Sequence, residues 1–260
     1  MSVGVTCRSR GYSRGVVVEV EGRPVDAGEL WATASGFGHF TAMQVRGRRT
    51  RGLELHLRRL KAANKELFDA GLDGDRVREL VRHALREVED ASVRVYVFEM
   101  EERPVTTVTV KEPGGVKTPQ SLLSVQFQRP EAHLKHLATG QGYYTRVAHR
   151  SGFDDALLVA PDGQVSETAI ANVGFFDGDG VVWPQAPHLS GITMQLLEGV
   201  TSSRRAPVHL EDFASYDGVF LSNARGVAAV DRVDDLALAV PDDRLTELAE
   251  AYDSVPWDEI

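Results

Sequence analysis

The sequence predicts an α/β (α+β) protein built as two domains, on three observations. Runs of β-branched residues in alternation recur between stretches whose apolar residues fall at helical spacing. The run Glu112 to Pro119, with two prolines and two glycines, breaks that alternation near the middle of the chain. The length, 260 residues, is long for one compact domain and comfortable for two. The division expected is a flexible arm over 1–14, a smaller α/β domain over 15–115 and a larger, β-rich α/β domain over 116–260.

Each element has its own justification. Residues 1–14 show no periodicity and read as a loose arm. Val16 to Val20 meets a Gly22-Arg23-Pro24 turn and reads as a strand entering a hairpin. Thr41 to Arg51 is extended; Leu53, Leu57, Leu60 and Leu67 then recur at helical spacing, with Gly71 as a stop. Asp75 is placed to cap a second helix whose apolar stripe is Val77, Leu80, Val81, Ala84, Leu85 and Val88. Val93, Val95 and Val97 alternate with other residues, and Thr106 to Val110 is β-rich, so two strands follow. Beyond the linker come a strand over Leu122 to Gln128, a helix around Leu134 to Arg150 and a dense β region to Trp183. Asp162-Gly163 and Asp177 to Gly180 supply its hairpin turns. The chain closes with a helix over Thr193 to Val200, strands over Val219 to Ser222 and Val227 to Val230, and a helix over Asp243 to Tyr252.

Composition removes several function classes. The 42% hydrophobic share excludes wholesale disorder, and no run approaches the ~20 apolar residues of a membrane span. The single cysteine, Cys7, excludes an intrachain disulfide framework and a cysteine-rich metal site. With no apolar signal core at the N-terminus, a soluble cytoplasmic location is expected. A net charge of −9 repels nucleic acid at long range and gives no attraction to an anionic membrane. Against that background Arg46, Arg48, Arg49, Arg51, Arg58, Arg59 and Lys61 crowd into sixteen positions. Most read as a solvated turn and helix face, with one or two free to hold an anionic ligand.

Motifs of fixed local spacing are scarce. Gly36-Phe37-Gly38-His39-Phe40-Thr41 lacks the last glycine and the following helix of a dinucleotide fingerprint, and reads as a turn. His133 and His136 have a metal-compatible spacing but are read as surface or packing residues, so no metal is expected. No GxSxG elbow or GxxxxGK[ST] loop occurs.

An ordered series in the second half says more: HLKHLATG (133–140), GFDDALLVAPDGQVSETAIANVGFF (152–176) and WPQAPHLSGITMQLLEG (183–199). With HLRRL (56–60), this series resembles the class IV aminotransferase family, the fold-type IV enzymes that use pyridoxal 5'-phosphate (PLP). In order, that family carries a lysine, G-x-D-[DE]-A-L, D-G-x-V-x-E-x-x-x-x-N and P-x-x-x-x-L-x-G-I-T, with H-x-x-R-L in the first half. The resemblance covers most of the chain from about residue 16. It implies the two-domain PLP fold type IV, with the cofactor between a smaller N-terminal and a larger C-terminal domain.

By that resemblance Lys135 is the lysine that holds the cofactor as an imine and acts as nucleophile and general acid/base in turn. On its own it reads as a helix-surface lysine. Glu167 corresponds to the glutamate facing the pyridine nitrogen, where a carboxylate favours the protonated ring. Asn172 is given a structural part. The phosphate falls to Gly191, Ile192 and Thr193 at a helix N-terminus, with the Thr193 hydroxyl added, and to Arg59. Arg58, about 100° round the helix, is left as a surface residue. Ser222, Asn223 and Ala224 form a last contact, although many relatives have a threonine where Ala224 stands. The family tyrosine about five residues after the lysine is also missing, leaving Tyr143 or Tyr144 to replace it or the place vacant. GITR reads GITM with Met194, and the acidic residue that many transaminases carry in F-E-x is Thr41.

The function implied is a PLP-dependent aminotransferase acting on an amino acid/2-oxo acid pair. An aminodeoxychorismate lyase-like enzyme is the alternative, and a fold-type IV protein without cofactor, serving as a binding or scaffolding subunit, is the third. The resemblance also implies a homodimer, for which Trp31, Phe37, His39 and Phe40 offer an aromatic loop.

Overall fold

The computed structural model describes residues 17–25, 36–100 and 103–260. The arm over 1–14, Cys7 and Trp31 lie outside them. In the first half, β1 (Val17–Val20), β2 (Arg23–Pro24), β3 (Gly38–Val45), β5 (Ala91–Met100) and β6 (Arg103–Lys111) form an antiparallel sheet in the order β2-β1-β6-β5-β3. β4 (Arg49–Arg51) stands apart from it. Two helices, α1 (Leu53–Phe68) and α2 (Gly74–Leu85), supply Leu57, Leu60, Val77, Leu80 and Val81 to a core against Met43, Val45, Val93, Val95 and Val97. The two-residue period of the strands sends those valines inward. Phe40, Ala42, Gln44, Ser92 and Arg94 therefore face the other way, where the cavity described below lies.

The second helix differs from expectation at both ends. Its cap is Asp73, whose carboxylate accepts from the backbone N–H groups of Asp75 and Arg76, so Asp75 is the capped residue rather than the cap. The helix stops at Leu85, because Arg86 takes a positive φ of 52°, and Val88 beyond it is exposed rather than part of the stripe.

The second half forms a nine-stranded sheet from β7 (Gln120–Gln126), β8 (Asp155–Val159), β9 (Val165–Thr168), β10 (Asn172–Asp177), β11 (Gly180–Pro184), β12 (Ser203–Ala206), β13 (Gly218–Asn223), β14 (Gly226–Val233) and β15 (Leu236–Ala237). The order is β12-β11-β10-β13-β14-β7-β8-β9, with β15 beside β14. Its middle strands are buried on both faces. Leu157, Val173, Phe175 and Leu221 pack on one side, and Phe176, Trp183 and Phe220 pack on the other against Met194 and Leu197 of α4 (Ile192–Val200) and Leu248 of α5 (Asp242–Asp253). The last strand, β16 (Trp257–Glu259), returns to the first half and pairs antiparallel with β4.

One expected helix is shorter than its sequence pattern. α3 spans Gln141–Arg150, and 131–140 is irregular, so Lys135 is not on a helix. The reason is a competing backbone partner. The edge of β3 takes this segment as a short extra strand: Phe40 donates to the Lys135 carbonyl at 3.0 Å and Leu137 donates to the Gly38 carbonyl at 2.9 Å. Among the described residues no helix is long and apolar enough to cross a membrane.

Candidate active site

The side chains singled out from sequence meet in one cavity of about 380 Å³, lined from both halves of the chain. β3 and its pairing partner bring Lys135 to the wall, with its Nζ 4.9 Å from the centre of the Phe40 ring. Burial, reinforced by the nearby guanidinium groups of Arg59 and Arg129, lowers the Lys135 amine from 10.5 to about 7, against an opposing pull from Glu167. A neutral, nucleophilic amine is thus available near neutral pH.

Glu167 sits on β9 and is buried. Its Oε1 lies 3.0 Å from Arg129 Nη2, and its Oε2 accepts from the Leu189 N–H at 3.3 Å. Desolvation still outweighs those partners and pushes its carboxyl up to about 7. Arg129 is a residue that sequence reasoning missed. It is almost fully buried, it lines the cavity, and it also donates to the Ala132 carbonyl in the segment leading to Lys135. No motif marks it; the only signal is that a buried carboxylate needs a buried cation, and linear sequence does not say which.

Three backbone junctions make the other end. Asn172, first residue of β10 and cross-strand partner of Ser222, donates from Nδ2 to the Leu189 carbonyl at 2.7 Å. The Leu189 backbone is thereby held at its N–H by Glu167 and at its carbonyl by Asn172, which gives the asparagine a structural part. Gly191 follows as the N-cap of α4, and a Cβ there would overlap the Asn172 side-chain oxygen. Helix geometry leaves the first N–H groups of α4, at Ile192 and Thr193, without intrahelical acceptors. The Thr193 hydroxyl is already committed, donating to the Asn223 carbonyl at 2.7 Å, so it is the Thr193 backbone and not its hydroxyl that faces this end as a free donor. Ser222 Oγ is different: it is buried, it lines the cavity and it has no protein partner. Asn223 and Ala224 line the same corner.

Arg59 reaches across from α1, donating to the Ser190 carbonyl at 2.5 Å. Burial and the neighbouring Arg129 lower its guanidinium to about 10, which leaves it cationic. Arg58 is exposed, as its helical position requires. His56, one turn before Arg59, is buried with Nδ1 2.6 Å from the Thr41 hydroxyl; desolvation and the adjacent Arg59 and Lys135 push it down to about 3, so it is neutral. Of the remaining basic cluster only Arg51 also lines the cavity.

Neither Tyr143 nor Tyr144 lines the cavity: Tyr143 is 62% exposed and Tyr144 packs against Phe127 with the rings tilted. Among the described residues, the tyrosine that does is Tyr252 of α5. His133 is 2.8 Å from Glu66 on the surface and stands near Glu131, while the His136 ring packs edge-on against Phe37.

An anion, an amine-reactive group and a protonatable nitrogen can be held in this arrangement at once. The cation Arg59, the Ser222 hydroxyl and the α4 N–H groups form the anion end, and Lys135 and Glu167 supply the other two functions. Comparison with known proteins bears on the family and the fold. Residues 38–233 match the family model described as amino-transferase class IV. A hypothetical aminotransferase from Mycobacterium tuberculosis superposes with a TM-score of 0.80 at 22% identity, covering 93% of this chain and 98% of that one. A branched-chain amino acid aminotransferase from T.th., complexed with N-(5'-phosphopyridoxyl)-L-glutamate, gives 0.80 at 16%, covering 93% and 94%. A Legionella pneumophila protein described as a 4-amino-4-deoxychorismate lyase gives 0.74 at 19%, covering 86% and 93%. At these identities the structural likeness is one of fold. A search of curated proteins finds no match.

Proposed function

The chain belongs to the class IV aminotransferase family, and we propose that it is a PLP-dependent aminotransferase acting on an amino acid/2-oxo acid pair. The observation that carries this reading is the cavity's division of labour: a lysine amine held near neutrality at one place and an unsatisfied anion cradle at another. PLP, when bound, supplies a ring that takes up the electron pair left when a bond at the substrate α-carbon breaks. Lys135 holds the cofactor, and once released its amine takes the α-proton and returns it. Glu167 meets the ring nitrogen. A carboxyl near pH 7 shares a proton readily with such a base, and Arg129 keeps it oriented. Arg59, Ser222 and the Ile192 and Thr193 N–H groups receive the phosphate, while Gly191, Asn223 and Ala224 shape its corner. We take the two sheets as two domains, 15–115 and 116–260, with the cofactor between them.

One observation favours the lyase reading. Thr41, where many transaminases carry an acid, is fully buried and bonded to His56, and no carboxylate replaces it in the cavity lining besides Glu167 among the described residues. A binding role without cofactor is supported by nothing in a cavity that retains Lys135, Glu167 and Arg59 together. Purified protein incubated with amino donors and 2-oxo acids, and separately with aminodeoxychorismate, discriminates the two enzymes. Amino-group exchange supports the aminotransferase, and product from aminodeoxychorismate alone overturns it.

We further propose a cytoplasmic homodimer. The aromatic loop expected for the interface is not one, since His39 is fully buried and lies with Phe40 on β3. The support is the face of the small sheet beside the cavity, where the half-buried rings of Phe40 and Tyr96 stack at 5.4 Å. Sedimentation over a dilution series tests it; a strict monomer with PLP bound defeats it.

A further inference from the structure

Helix α1 carries His56 and Arg59 into the cavity, yet its own sequence cannot cap it. The residue at its N-cap is Gly52, which has no side chain and takes φ 67°, ψ 39°. Two features favour glycine here. That φ disfavours a side chain, and a Cβ would stand 3.1 Å from Ile192 Cγ2 and 3.3 Å from the Leu196 methyls, at the start of α4. The positive φ and the close approach of the first turns of α4 together disfavour a local capping side chain there.

The missing acceptor comes from the other end of the chain. Asp258 Oδ2 accepts from the Leu53 N–H at 2.9 Å, and its charge lies at the positive end of the helix. The segment that presents it is fixed by several independent contacts. β16 pairs with β4, Trp257 opposite Arg51 and Asp258 opposite Thr50. The Arg51 guanidinium lies 4.3 Å from the Trp257 ring centre and 4.7 Å from that of Tyr252. Arg51 also donates to the Val255 carbonyl at 3.1 Å and pairs with Asp253 at 3.0 Å. Ile260 packs against the core of the small sheet. Trp257, Tyr252 and Arg51 themselves line the cavity.

We infer that the C-terminal segment 255–260 is a clasp that holds the start of α1 against the start of α4, and that Asp258 is a positioning residue which sets Arg59 for the cofactor phosphate. The inference rests on the reading of this cavity as a PLP site. Asp258 lies about two helical turns from Arg59 and touches no part of the cofactor. It acts by keeping the first turn of α1 formed and aligned, so that the Arg59 side chain leaves the helix at the height of Ser190 and Gly191.

The test uses the full-length protein stripped of PLP, as wild type, Asp258→Ala, Asp258→Asn, Arg59→Ala and the double variant Arg59→Ala/Asp258→Ala. PLP is titrated into each by absorbance, and amide exchange is followed at Leu53 to His56. Asp258→Ala is expected to weaken PLP binding about 5-fold, the worth of a helix cap, and to speed exchange in the first turn of α1. Asp258→Asn keeps an acceptor oxygen and is expected to restore both. In the double variant the loss is expected to be no greater than in Arg59→Ala alone, because the cap acts through that arginine. Wild-type affinity in folded Asp258→Ala, or losses that add in the double variant, overturns the inference while leaving the PLP site intact. Wild-type protein that binds no PLP overturns the functional reading, and this inference with it.

Discussion

Replacing Arg59 by alanine separates two effects that the structure assigns to one guanidinium. The first is electrostatic. Arg59 is the leading charged neighbour that keeps the Lys135 amine low, at about 7. A positive charge at close range shifts such a group by roughly a unit, so its loss is expected to raise Lys135 to about 8. The neutral fraction at pH 7 then falls from about a half to about a tenth, and covalent capture of an aldehyde slows ~5-fold. The second effect is anchoring. A charge-assisted hydrogen bond left unmade costs ~2–3 kcal/mol, so PLP affinity is expected to fall by a further factor of ~30–150. Pyridoxal, which lacks the phosphate, reads the first effect alone. The assay is capture of pyridoxal and of PLP by apo-protein across pH 5–10, followed by the visible absorption band. An unchanged midpoint pH for pyridoxal refutes the electrostatic account, and equal losses for PLP and pyridoxal remove Arg59 from the cradle.

Two further outcomes are expected. Glu167→Gln should keep PLP bound but slow turnover roughly a hundredfold or more, because a neutral amide does not favour the protonated ring; steady-state kinetics beside PLP titration decide it, and a wild-type rate refutes the placement of Glu167. His56→Gln should flatten the acid limb of the apo-protein's stability. His56 is held at about 3 when folded against 6.5 unfolded, so the unfolded state binds the extra proton between those pH values. Stability is therefore lost as pH falls from 6.5 towards 3, by up to ~1.4 kcal/mol per pH unit. Glu167, raised when folded, works in the opposite direction between about 4.5 and 7, so the difference between wild type and variant isolates the histidine. Denaturant titrations at stepped pH measure it, and identical slopes refute it.

What the sequence made legible follows the range of the forces involved. The stripe Val77, Leu80, Val81, Ala84, Leu85 is buried as read, since local periodicity and burial agree there. The hairpin turns Asp162-Gly163 and Asp177 to Gly180 were legible for the same reason. Lys135, Glu167, Arg59 and Gly191 were named from the ordered motifs and Ser222 as a stand-in for an absent threonine, and the structure brings them to one cavity. The misplaced ends of the second helix are local errors, a cap two residues earlier than read and a positive φ at Arg86; the other failures are non-local. The helix drawn through Lys135 gives way to pairing with β3, a strand roughly a hundred residues earlier. Arg129 belongs to Glu167 through space only, and Asp258 caps a helix more than two hundred residues away. The Thr193 hydroxyl, expected on the phosphate, is drawn to the Asn223 carbonyl because β13 ends beside α4. No pattern along the chain encodes these pairings; they exist only once the two sheets are folded.

The central claim is that Lys135 carries PLP. Purified protein loaded with PLP, treated with borohydride and digested should lose its visible imine band and yield a single phosphopyridoxyl-modified peptide, labelled at Lys135. Lys135→Ala should fold, form no such band and show no turnover. A label on another lysine, or activity retained in Lys135→Ala, contradicts the account.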